Sequence, residues 1–138
     1  MKILDITPHS EARRAIIIGK QTEIYRSIYH CCDRFLNVDR EGYGYFQPAC
    51  RGDFEDLARD CNDSLNEFTQ LLKQAITDGI FEIAEYDTIR LTLPCKDGVH
   101  PFKCVHFVCE GITIGYGNPD WDAPTDEEVF IIKLGKRI

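Results

Sequence analysis

Apolar residues in the first part of the chain recur at helical spacing. Ile17, Ile24, Ile28, Cys31 and Phe35 follow one another at steps of seven, four, three and four. Ile18, Tyr25, Tyr29, Cys32 and Leu36 form a second row beside them. Two adjacent rows make a wide buried face and predict a long helix over about residues 9–36, opened by Thr7-Pro8. Gly19 is the one position where that helix would divide into two. A stricter stripe of Phe54, Leu57, Ala58, Cys61, Leu65, Phe68, Leu72, Ala75 and Ile76 predicts a second helix over about 54–77. Asp53 is placed to cap it, and Asp78-Gly79 to stop it.

After Gly79 the period falls from near 3.6 to 2. Residues 80–86, 88–93, 102–109, 112–116 and 129–134 read as strands, and residues 2–6 as a short additional one. Lys96-Asp97-Gly98 and Glu110-Gly111 are the turn signals between them. Short connections favour an antiparallel meander of about four to six strands with the two helices layered on one face. The expected class is α+β, with residues 1–138 forming a single domain. Two stretches follow neither period: residues 37–52, rich in Gly and Tyr, and residues 117–125, rich in Pro and Asp.

Composition adds the sign of the surface. Sixteen Lys and Arg stand against twenty-three Asp and Glu, a net charge of −7. Bulk binding to nucleic-acid phosphates is excluded, because that grip needs surplus cations. No segment approaches the ~20 apolar residues that cross a bilayer, so no membrane span is expected. Ala15-Ile16-Ile17-Ile18 is too short and too flanked by charge to be a secretory core. Seven cysteines without such a core point to free thiols in the cytoplasm.

The acidic excess is local. Residues 1–40 carry a net +2, residues 41–79 a net −5 and residues 80–138 a net −4. Asp56, Asp60, Asp63 and Glu67 fall at steps of four, three and four, which aligns them on the solvent face of the second helix. Such a ridge suits a basic partner surface and can imitate phosphates to occupy a basic groove. Asp120 and Asp122 flank the only tryptophan, Trp121, in the second irregular stretch. Trp in a polar loop either folds back over the core edge or anchors a partner. In the first stretch Tyr43, Tyr45 and Phe46 stand among glycines, a composition suited to protein recognition.

One set of residues points toward other chemistry. Cys95, His100, Cys104 and His106 are close enough in sequence to hold zinc, and Cys104 and His106 share a strand face. Their spacing follows no standard zinc template, and Cys109 points to the opposite face. Nucleophile elbows, zinc-protease helices, P-loops and dinucleotide fingerprints are absent, so no catalytic residue is assigned. The Asp-rich stretches also lack the order of an EF-hand.

The sequence therefore favours a non-enzymatic protein-binding regulator or inhibitor with no cofactor, acting through its acidic helix face and aromatic loops. A metal- or thiol-dependent enzyme centred on Cys104 and His106 is the alternative, with zinc as its metal. A small-molecule binder between sheet and long loop is a third. The wide face of the first helix also suits a two-fold dimer.

Overall fold

Residues 2–94 and 102–138 are described by a computed structural model. Backbone contacts divide the chain into two compact units. Unit 1 comprises Met1–Ile24, Glu85–Gly111 and Ile131–Ile138; unit 2 comprises Tyr25–Ala84 and Ile112–Phe130. The elements in chain order begin with β1 (Ile3–Ile6), α1 (Ser10–Ile17), β2 (Glu23–Ser27), α2 (Ile28–Phe35), β3 (Leu36–Val38) and β4 (Gln47–Pro48). A 3-10 turn at Arg51–Phe54 leads into α3 (Glu55–Asp60) and α4 (Leu65–Thr77). Then come β5 (Phe81–Ile83), β6 (Thr88–Pro94), β7 (Phe102–Gly115), a 3-10 turn at Pro119–Trp121 and β8 (Val129–Arg137). The α+β class expected from the pattern is the one formed.

The strands make two sheets. The larger has the order β1-β6-β7-β8-β2, and the smaller has the order β4-β3-β5. The larger is mixed rather than a pure antiparallel meander, because β1 pairs parallel with β6 while β6 and β7 run antiparallel. A parallel pair needs a long crossover, and the chain supplies it between residues 6 and 88.

In unit 1, β1 alternates cleanly, with Leu4 and Ile6 buried and Ile3 and Asp5 facing out. Ile89, Leu91 and Leu93 of β6 and Val105 and Phe107 of β7 are buried on the same alternating rule. In β7 the buried positions change parity between Phe107 and Ile112. The change falls at Gly111, where φ is 127°. A turn is expected at Glu110-Gly111; the strand instead runs on through the glycine to Gly115.

In unit 2, α2 and α4 bury Ile28, Cys32, Phe35, Phe68, Leu72 and Ala75. Phe35 meets Phe130 edge-on at 5.1 Å, Tyr29 meets Phe68 at 5.1 Å, and Phe54 stacks on Phe81 at 4.8 Å. These ring pairs are oriented contacts in a core whose other members are aliphatic side chains with Cys32, Cys61 and Thr69.

The two long helices are both interrupted. The helix expected over 9–36 is α1, then β2, then α2. Gly19, at φ 80°, ends α1 in a left-handed stop, and Gly19 and Lys20 N–H groups donate to the Ile16 and Ala15 carbonyls. Thr22, Ile24 and Tyr25 then favour an extended backbone, and their spacing happens to continue the helical count. The continuous face that suited a two-fold dimer is therefore not formed. The helix expected over 54–77 breaks at Asn62 and Asp63, with φ of 51° and 59°. Ser64 then caps α4 by accepting from the Glu67 N–H at 3.2 Å. Asn, Asp and Ser are the residues that leave helices and cap them, and an apolar count alone passes over them.

Candidate interaction site

The aromatic loop of unit 2 begins at Asp39, whose N–H donates to the Ile80 carbonyl at 2.9 Å. Its carboxylate then accepts from the Gly42 N–H at 3.0 Å and from the Gly44 N–H at 2.8 Å. Gly42 and Gly44 hold φ of 78° and 83°, a backbone that only glycine takes without strain. Between and after them, Tyr43 and Tyr45 are each 77% exposed, while Phe46 is half-buried.

The other side of the loop is clamped by Arg40. Its Nη1 donates to Gln47 Oε1 at 3.0 Å, and its Nη2 to the Pro48 carbonyl at 3.4 Å and Asp53 Oδ2 at 2.9 Å. Asp53 also accepts from the Cys50 N–H at 2.8 Å. The hydrogen bond from Arg40 is the main reason its carboxyl is lowered to about 2. Asp53 is thus not the cap expected for the second helix. Cys50 caps the 3-10 turn, and Asp53 reaches back to it from the third position. A hollow of about 280 Å³ lined by Arg40, Glu41, Tyr45 and Gln47 opens beside the clamp.

The acidic residues expected on one helix face occupy three different settings. Asp56 and Asp60 lie on α3, Asp63 in the left-handed turn and Glu67 in the first turn of α4. All four are exposed, and Asp56 pairs with Arg59. Near the second loop, Asn118 Oδ1 accepts from the Asp120 N–H at 2.9 Å, and Tyr25 Oη accepts from the Asn118 N–H at 3.0 Å. Asp120 and Asp122 are exposed, Asp122 in a left-handed conformation at φ 65°, and Trp121 is half-buried.

Unit 2 carries six basic and sixteen acidic residues, a net −10, whereas unit 1 carries ten and seven, a net +3. The chain's net charge therefore understates the polarity of its parts. The helices and loops of unit 2 hold more than the whole acidic excess.

Of the metal candidates, Cys95 and His100 lie outside the described residues. Cys104 is exposed and His106 half-buried on β7. Register sets Cys104 opposite Thr92 and His106 opposite Arg90, which in turn bridges Asp5 of β1. Among the described residues no three His, Cys, Asp or Glu side chains converge as a metal site would require. Cys109 is half-buried, and burial raises its thiol.

Sequence reasoning overlooks Asp39 and Cys50. The signal for Asp39 is an aspartate three and five residues before glycines, the spacing of a carboxylate that collects backbone N–H groups. Cys50 carries no comparable signal, since cysteine is a rare cap. No family model matches the chain, and no curated protein or solved structure matches it significantly. Among the described residues no helix is long and apolar enough to cross a membrane.

Proposed function

We propose that unit 2 is a protein-binding module that regulates or inhibits a partner bearing a basic surface. Tyr43 and Tyr45, each 77% exposed on a loop braced from both sides, carry the proposal. Leaving two aromatic rings in water is unfavourable in the free protein, and bracing the loop lowers the ordering cost of burying them on a partner. Tyrosine is among the residues on which interface energy concentrates. The net −10 of the same unit supplies the long-range attraction, and its exposed carboxylates at Asp56, Asp60, Asp63, Glu67, Asp120 and Asp122 form the polar surround. Phe46 and Trp121, both half-buried, add partly accessible aromatic surface on the two loops.

The test is a quantitative comparison of cross-linked partners captured by the full chain and by a Tyr43→Ala/Tyr45→Ala variant. One partner should be depleted at least about tenfold by the double substitution, since two central tyrosines commonly contribute over 1 kcal/mol each. Its capture should also weaken as salt is raised. A variant that retains every partner of the parent chain overturns the assignment of the loop.

A further inference from the structure

An open cleft of about 330 Å³ lies between α3 and α4, lined by Asp60, Asn66, Glu67, Gln70 and Leu71. Four of these five residues are polar, yet the wall of the cleft is mostly carbon. Leu71 is half-buried there, while Asp60, Asn66, Glu67 and Gln70 are exposed. Asp60 is the last residue of α3 and Glu67 stands in the first turn of α4. The left-handed turn at Asn62 and Asp63 is what brings the two helix ends to the same cleft. No cation among the described residues pairs with either carboxylate: Arg59 is engaged by Asp56 and Lys73 by Glu128. Glu67 receives a single neutral bond, from Asn62 Nδ2 at 3.3 Å.

We infer that this cleft receives an arginine side chain of the partner protein, an inference that rests on the acidic docking surface proposed above. An arginine has an apolar stem for the carbon wall and a charged head for the exposed polar groups. Its five N–H donors match two carboxylates and two carboxamide oxygens, whereas a lysine brings three donors on a compact, strongly hydrated ammonium. The net −10 of unit 2 selects the sign of the occupant before any contact is made.

The experiment titrates the full isotope-labelled chain at low salt with capped tri-arginine, tri-lysine and tri-glutamate peptides, read by NMR. Tri-arginine should shift the side-chain amides of Asn66 and Gln70 and the methyls of Leu71 in a saturable way. Tri-lysine should bind about fivefold more weakly, and tri-glutamate not at all. Asp60→Asn with Glu67→Gln should weaken tri-arginine about tenfold while leaving the thermal midpoint in place. Equal affinity for the two basic peptides overturns the choice of arginine. Saturable binding that maps to Asp120 and Asp122 and ignores the double variant overturns the cleft but leaves the acidic docking surface standing. Failure of both basic peptides to bind anywhere overturns the cleft and the docking surface together.

Discussion

Arg40 holds Asp53 by two nitrogens at once, Nε on Oδ1 at 3.0 Å and Nη2 on Oδ2 at 2.9 Å. The pair spans thirteen positions and closes the base of the loop that presents Tyr43 and Tyr45. A planar guanidinium matches a carboxylate in this two-point geometry, which a lysine does not reproduce.

The clamp predicts a pH dependence with a definite sign. Asp53 falls from 3.8 to about 2, chiefly through the Arg40 hydrogen bond. A carboxyl lowered by folding stabilises the native state above its unfolded value, and that stabilisation is lost as pH falls through the folded value. The window lies between 3.8 and about 2. Because the Arg40 side chain is 43% exposed, solvent screens the pair, and only part of the shift is expected to count as stability at neutral pH. Urea unfolding should show Arg40→Gln less stable than the parent chain at pH 7, with the gap narrowing toward the acid end of the window. An undiminished gap there would show that Arg40 acts through its bonds to Gln47 and the Pro48 carbonyl and not through Asp53.

Much of the fold is legible in the pattern, and its failures have one cause. The buried faces of α2 and α4 and the alternation of β6 follow the period of the sequence, because a single packed surface sets each. Period is blind to backbone conformation, however. Gly19, Asn62, Asp63 and Gly111 all take positive φ, and each lies where a continuous element was expected to run on, or a strand to end. The loop tyrosines were visible by composition, and the acidic residues by charge. Their supports follow no hydrophobic period, because Asp39 and Asp53 act on backbone N–H groups, and only the spacing of Asp39 to its glycines leaves a trace in the sequence.

Asp63, at φ 59°, gives a direct test of the interruption between α3 and α4. A non-glycine residue in the left-handed region is strained, aspartate less than most. Asp63→Gly should remove that strain, offset in part by greater freedom of the unfolded chain. The net expectation is a stabilisation of about 0.5 kcal/mol, seen as a rise of a few degrees in the thermal midpoint. Asp63→Val, with a branched side chain, should lower the midpoint by more than that. If both variants melt at the same temperature, the turn is not left-handed at this position.

Gly117 is required for a different reason. A Cβ added there would sit 2.6 Å from Ala123 Cβ and 2.7 Å from Tyr25 Cε1. Neither contact can persist, so the Tyr25 ring must move and release the Asn118 N–H that its hydroxyl accepts at 3.0 Å. Gly117→Ala is expected to cost about 1–3 kcal/mol by overpacking. In a Tyr25→Ala background the same substitution should cost less, because one of the two obstructions is gone while Ala123 remains. Purely additive effects in that double-mutant cycle would rule out the ring contact.

The cysteines should separate by reactivity according to where the fold has placed them. Cys50 and Cys104 are exposed, Cys31 and Cys109 half-buried, and Cys32 and Cys61 buried. Alkylation proceeds through the thiolate, so access and thiol pKa act in the same direction. Burial pushes Cys32 from 9.0 up to about 11, even though Arg51 Nη1 lies 3.2 Å from its sulfur. Burial likewise raises Cys31 and Cys109. In a timed iodoacetamide reaction at pH 8 with peptide mapping, Cys50 and Cys104 should label first and Cys31 and Cys109 later. Cys32 should label at least about a hundredfold more slowly than Cys50, until urea unfolds unit 2. Cys61, which donates its S–H to the Ala58 carbonyl at 3.1 Å, should follow Cys32 rather than Cys50. Labelling of Cys32 at the rate of Cys50 in the native protein would mean that α2 does not pack as described.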